Sequence, residues 1–414
     1  MAAERRSGLS TQHWRRGLDR PILMIPGPTE VPWRVIRAMA QPPMIQYEPP
    51  FDEEILEPAC LDLRQVFQTS GEVIAMPGSG RTGLEAATVS LVEPGDRVVV
   101  VVAGVFGSLM KEVMERAGAA VTAFDVELGK PIDLDGLDRT VARVRPKLLT
   151  LVHNETSTGV TYPAAAVGEI TRRHGALFLL DTVSSLAGLD VQTDAWGVDV
   201  NMTGSQKCLA MPLGLAVVSV SPRAFEAMER RTRPSVSYAN DLIRWKRQWV
   251  PASRGGGVPE GGRRNQPVSM PTHLSQALRE AVTLILEEGL PNRIRRHRIS
   301  GKAFRAGIAA LKLDLFGDPS IASDTVSCFR VPAGLAATAV VRRMRDAYGI
   351  LVSTGIEKMR DAVLRVGTMG MTASPLYVLP TLSALGMALR DLGYRAETGE
   401  ALAAAQTVFD AETP

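Results

Sequence analysis

The chain has 414 residues, 45% of them hydrophobic and 22% charged. That places it among folded proteins with more than one core and away from disordered chains and disulfide scaffolds. A formal net charge of +3 is too small to attract nucleic acid by itself, and the longest apolar runs fall short of the roughly 20 residues a membrane-spanning helix requires.

Residues 1–22 hold Arg5, Arg6, Arg15, Arg16 and Arg20 without an apolar stretch, the pattern of a polar N-terminal arm rather than of a secretory signal. From Glu72 onward, short β-branched or leucine-rich runs (EVIAM, RVVVVV, LLTLV, ALFLLD, VDVNM and GLAVVSV) alternate with amphipathic segments. This alternation predicts an α/β fold, and the unbroken hydrophobicity of several runs predicts a mostly parallel central sheet covered by helices on both faces. Residues 252–267 are rich in Gly, Pro and Arg and read as a long loop. After it, Leu274, Leu278, Val282, Ile285 and Leu286 recur at helical spacing up to Gly289, a helix stop. The expected organisation is therefore an arm over 1–22, a large domain over 23–289, and a smaller α+β domain over 290–414. The basic run RIRRHR at 293–298 reads as a solvated helix face rather than a nucleic-acid site. Cys60, Cys208 and Cys328 are odd in number and widely spaced, and no histidines fall at HxxxH spacing. Neither a disulfide framework nor a metal is expected, and a reducing cytoplasm is the expected setting.

Two features carry chemistry. Asp181 ends the run ALFLLD, and Lys207 follows the run VDVNM in TGSQK; lysine is scarce, at eight of 47 basic residues. At the carboxyl ends of parallel strands, where ligands bind, a carboxylate and an amine are the equipment for pyridoxal phosphate. The amine forms a Schiff base, and the carboxylate pairs the pyridinium nitrogen. The second feature is GSGRTG at 78–83, between a strand and a helix. Such a turn cradles a phosphate, because glycines admit close approach and a helix N-terminus presents free N–H groups. Its spacing matches neither a P-loop nor a dinucleotide fingerprint.

With PGPTEVP at Pro26, HNETSTG at His153, DTVSS at Asp181, TGSQKCL at Thr203 and LRVGTMG at Leu364, the chain resembles the class V aminotransferases of the fold-type I pyridoxal-phosphate superfamily. Within them it resembles the group that contains alanine:glyoxylate, serine:glyoxylate, ureidoglycine:glyoxylate and pyridoxamine:pyruvate aminotransferases. The resemblance implies that Lys207 carries the cofactor and moves protons, and that Asp181 keeps the ring nitrogen protonated. It also implies that Phe106 stacks on the ring, Thr156 bonds its 3' oxygen, and Ser79, Gly80, Arg81 and Gln206 hold the phosphate. Ser269 is implied to reach the phosphate of a neighbouring subunit in a homodimer. Arg365 and the turn at Gly27 are implied to hold a substrate carboxylate. QYEPPF, with Gln46 and Tyr47, and Gln266 resemble the ureidoglycine-using members, so the expected reaction passes an amino group from ureidoglycine to glyoxylate. Alanine or serine as donor, a pyridoxamine:pyruvate reaction, and a desulfurase using Cys328 as its thiolate stand as alternatives.

Overall fold

The computed structural model describes residues 20–412, so most of the expected N-terminal arm lies outside the described residues. Seven strands form the main sheet: β1 (Glu72–Pro77), β2 (Arg97–Val102), β3 (Ala120–Asp125), β4 (Leu148–Val152), β5 (Leu177–Asp181), β6 (Val200–Gly204) and β7 (Leu215–Val220), in the spatial order β1-β7-β6-β5-β4-β2-β3. The five valines of β2 suit a strand covered on both faces, where β-branched side chains, already stiff at χ1, pack well against their neighbours. Along the β3-β2-β4-β5-β6 half every pairing is parallel.

The strand β7 departs from that pattern, running antiparallel to both β6 and β1. The cause is its connection. Residues 205–214 between β6 and β7 contain no helix, and a parallel crossover needs a dozen residues or more. The chain therefore reverses, and the tight connection so created carries Lys207.

Val98, Val100, Leu148, Leu179 and Val200 belong to one buried cluster, while the alternating side chains of Val99, Leu149, Phe178 and Leu180 point into another on the opposite face, as strand pleating requires. Helix α1 (Gly80–Leu91) follows β1 and helix α2 (Val105–Arg116) follows β2, so both open at the carboxyl edge of the sheet.

Helix α3 (Thr272–Glu288) ends at Gly289, whose φ of +79° favours glycine, and helix α4 (Leu290–Ala310) begins directly after it. Beyond this point a separate cluster is centred on Phe304, Phe329, Val340, Leu364 and Leu385. It packs around a three-stranded antiparallel sheet of Val326–Arg330, Val363–Gly367 and Ser353–Thr354. Met24 joins this cluster from the opposite end of the chain, and Ile22–Leu23 pairs with Ile350–Leu351. Among the described residues no helix is long and apolar enough to cross a membrane.

The expectation of a solvated face for RIRRHR holds for Arg295 and Arg298, which are exposed, and fails for its other side. Arg293 is only 5% exposed and His297 is fully buried. The run sits on the first turns of α4 at the junction with the main sheet, where loop carbonyls lacking ladder partners bind the guanidinium groups. Charge density alone could not reveal that.

Candidate active site

The carboxyl ends of β1, β2, β4, β5 and β6 converge on a cavity of about 290 Å³. Of the candidate residues, Gly27, Ser79, Gly80, Arg81, Phe106, Thr156, Asp181, Gln206 and Lys207 line it, although 180 positions of sequence separate the first from the last. The topology explains the convergence, since parallel strands deliver their C-terminal loops to one edge.

Lys207 is buried, and its amine donates to the carbonyl of Pro26. Its stem runs beside Gly27, whose φ is +87°; a Cβ on that residue would fall 2.9 Å from Lys207 Nζ and closer to the stem carbons. The glycine is thus required both by backbone conformation and by the space the lysine occupies. Burial, followed by the positive charge of Arg365, lowers the Lys207 pKa to about 8. Asp181 is 7% exposed, and its Oδ1 accepts the Val183 N–H at 2.8 Å. Burial raises its pKa to about 7, with the negative charge of Glu155 adding to the effect. One site therefore holds an amine made easier to neutralise and a carboxyl made harder to ionise, the environment found where proton transfer is tuned.

At the far side, Ser79 caps α1 in a capping box with Thr82, and Gly80 is the first helical residue. A Cβ on Gly204 at the end of β6 would lie 3.0 Å from the Gly80 nitrogen and 2.7 Å from Gln206 Oε1. The strand end, the helix N-terminus and the Gln206 amide thus crowd into one cradle, with Gln206 Oε1 buried and unbonded. Its N–H groups and the partial positive charge of the helix end suit a phosphate. The residues present therefore fit a phosphorylated aromatic cofactor: an anion cradle at one end, an amine and a carboxyl within, and the ring of Phe106 along the wall.

Phe106 rides on the first turn of α2, and a residue the motif reading passed over fixes that turn. Glu155, fully buried, accepts the N–H groups of Phe106 (3.2 Å) and Gly107 (3.3 Å) as well as the N–H and hydroxyl of Ser157. A carboxylate at a helix N-terminus satisfies orphan donors and opposes the helix dipole. HNETSTG contained the signal, but its two threonines and serine match the motif more visibly than the glutamate does. Next to it, Thr156 Oγ1 lies 3.0 Å from Ser184 Oγ. Arg365, in the strand Val363–Gly367, donates through Nε to the Thr354 carbonyl (2.9 Å) and through Nη1 to the Thr156 carbonyl (3.2 Å). Its Nη2 makes no hydrogen bond among the described residues.

Five candidates do not line this cavity: Arg365 adjoins it through the Thr156 carbonyl, and the other four, Gln46, Tyr47, Gln266 and Ser269, stand apart from it. Gln46 uses both ends of its amide on the loop that holds Ser269, accepting from Met270 N at 2.6 Å and donating to the Val268 carbonyl at 3.4 Å. Gln266 is 4% exposed; its Nε2 donates to Asp52 Oδ1 at 2.7 Å, and its Oε1 has no partner. Tyr47 is 45% exposed and lines a second cavity of about 590 Å³ beside Asp52, Arg254 and Arg264. That larger cavity is a charged seam in which Glu57 pairs with both arginines, and it holds neither Lys207 nor Asp181. Within one chain these four residues do not meet Lys207. Cys328 is buried in the strand Val326–Arg330, and burial pushes its thiol up to about 12, which removes the reactive thiolate a desulfurase needs.

The family profile described as aminotransferase class-V matches residues 53–243. The chain is 34% identical to the (S)-ureidoglycine–glyoxylate transaminase of Bacillus subtilis, over 96% of this chain and 97% of that relative. The crystal structure of ureidoglycine-glyoxylate aminotransferase from that organism superposes with a TM-score of 0.88 at 35% identity, covering 94% of this chain and 98% of that one. Pyridoxamine-pyruvate aminotransferase from Mesorhizobium loti superposes with a TM-score of 0.87 at 27% identity, covering 95% and 98%.

Proposed function

The chain belongs to the class-V aminotransferases, and from that premise we propose that it uses pyridoxal 5'-phosphate to pass the amino group of ureidoglycine to glyoxylate. The transfer of an amino group follows from the family. The choice of donor is carried by Gln266, whose buried carbonyl oxygen has no hydrogen-bond partner. An orphaned acceptor of this kind selects a substrate that brings N–H donors, which a ureido group has and an alanine methyl lacks. Its distance from Lys207 within one chain, and that of Ser269, support a homodimer in which these residues serve the neighbouring copy's site. The exposed apolar side chains of Trp33 and Ile45 supply surface for such a contact. The same reading keeps the division into domains at 23–289 and 290–414 and a cytoplasmic setting.

When bound, the cofactor would supply an electron sink for the donor's Cα–H electrons. Ser79, Gly80, Arg81 and Gln206 would hold its phosphate, Phe106 would cover its ring, and Thr156 would bond the 3' oxygen. Asp181 would keep a proton on the ring nitrogen. Lys207, with its pKa lowered to about 8, would take the proton from the donor Cα, and the lowered pKa leaves it a larger neutral fraction near neutral pH than an amine of ordinary basicity has. Arg365 and the Gly27 turn hold the α-carboxylate, which orients that Cα–H bond.

A panel of ureidoglycine, alanine, serine and pyridoxamine against glyoxylate and pyruvate tests the reading. Ureidoglycine with glyoxylate is expected to be fastest. Gln266→Ala is expected to lower kcat/KM for ureidoglycine relative to alanine by about 5- to 150-fold, the worth of one buried hydrogen bond of about 1–3 kcal/mol. Equal loss for both donors refutes the ureido argument, and a faster alternative donor in the wild type replaces it.

A further inference from the structure

The first turns of α4 grip three loops of the active site by their main chains. Arg293 donates from Nε to the Ala187 carbonyl at 3.1 Å and from Nη2 to the Cys208 carbonyl at 2.7 Å, while Nη1 binds Glu288 at 2.8 Å. Arg296 bonds Glu288 at 2.6 Å and donates to the carbonyls of Gly370 (2.9 Å) and Ala373 (2.6 Å). His297 Nε2 accepts the Gly370 N–H at 2.8 Å, and Nδ1 lies 2.7 Å from the Arg293 carbonyl, which assigns its proton to Nδ1.

The gripped backbone is unusual. Ala187 and Ala210 have φ of +65° and +57°, the left-handed region that residues with a Cβ avoid, and Gly370 has φ +61°. These turns touch one another, since a Cβ on Gly370 would lie 2.9 Å from that of Ala210 and 3.2 Å from the Lys207 carbonyl. Ala187 follows Asp181 by six residues, Cys208 is next to Lys207, and Gly370 follows Arg365 by five. Neither helix nor sheet supplies partners for the gripped carbonyls, so the guanidinium groups do.

We propose that Arg293 is a positioning residue that sets the reach of the Lys207 amine by holding the Cys208 carbonyl, with Arg296 and His297 fixing the Gly370 turn against which the Lys207 loop rests. This rests on Lys207 being the cofactor's lysine, and its own failure is separable from failure of that assignment. The test reads attachment rather than turnover. Apoprotein is mixed with pyridoxal phosphate, and the condensation of the Lys207 amine with the cofactor aldehyde, which releases one water, is followed by visible absorbance. Binding of pyridoxine 5'-phosphate, which has no aldehyde to condense, is measured in parallel.

Arg293→Lys, which cannot reach both carbonyls, is expected to slow attachment at least about tenfold while pyridoxine-phosphate affinity stays within about twofold. His297→Gln keeps an acceptor for Gly370 N–H and is the second variant should Arg293→Lys fail to fold; it is expected to slow attachment about threefold with the same unchanged affinity. Attachment at the wild-type rate in the folded variants overturns the proposal, and so does a parallel loss of attachment, pyridoxine-phosphate affinity and melting temperature. Attachment that persists in Lys207→Ala would instead overturn the lysine assignment itself.

Discussion

Asp181→Asn separates what the site costs the fold from what it gives to catalysis. Burial raises the Asp181 pKa from 3.8 to about 7. Between those values the folded chain holds a proton that the unfolded chain has released. Stability of the cofactor-free protein therefore falls as pH rises through this window, and the penalty is complete above the folded pKa. The full gap corresponds to about 4 kcal/mol, and the part that develops between pH 5 and pH 8 to about 2–3 kcal/mol. Asparagine escapes the charge penalty, and its carbonyl still accepts the Val183 N–H. Urea unfolding of cofactor-free wild type and variant at equal protein concentration is the assay. The variant is expected to be the more stable at pH 8, by an advantage that shrinks by about 2–3 kcal/mol at pH 5. With cofactor the order reverses, because a protonated ring nitrogen supplies the missing counter-charge, and turnover of the variant falls by about 10²-fold or more. A stability difference that does not change with pH refutes the reasoning, as does a variant with near-normal turnover.

Two further substitutions test the geometry. Arg365→Lys is expected to lower kcat/KM at least about 100-fold with cofactor affinity unchanged, because an ammonium cannot reproduce a planar fork; cofactor affinity that falls in step would assign the arginine to the fold. Gly27→Ala places a Cβ against the Lys207 stem and strains a left-handed residue. A stability loss of about 1–2 kcal/mol should accompany a turnover loss of about 10²-fold from misplacing the amine, and turnover within about threefold of wild type by steady-state kinetics contradicts this.

Strand-forming runs and strand-end residues were legible because both obey local rules: valine runs favour covered strands, and parallel strands present ligands at one edge. Asp181, Lys207 and the Gly80 turn follow from these rules and from the motifs. The reversal of β7 was not legible, because it depends on the length of a connection whose ends must first be known. Glu155 escaped notice because its work is to hold a helix end that is distant in sequence. The run at 293–298 was read correctly for Arg295 and Arg298 but not for Arg293 and His297, for a related reason: a guanidinium facing carbonyls and one facing water have the same sequence. Gln46 illustrates the converse. Its neighbourhood marks a loop with a role, but only the fold shows its amide committed to the backbone on either side of Ser269.

The segment Ile22–Gly27 belongs to two cores at once. Its strand pairs with Ile350–Leu351, Met24 fills the cluster around Phe304 and Leu364, and Pro26 and Gly27 sit against Lys207. During synthesis this stretch is made well before its partners: Lys207 follows Gly27 by 180 residues, Phe304 follows Met24 by 280, and Ile350 follows Ile22 by 328. Its strand must wait unpaired until Ile350–Leu351 is made, and until then the turn beside Lys207 is held from one side only. A nascent chain stalled before residue 350 would thus hold a formed sheet edge without a finished site. A fragment beginning at residue 290 would lack both a strand and a core side chain of its own cluster.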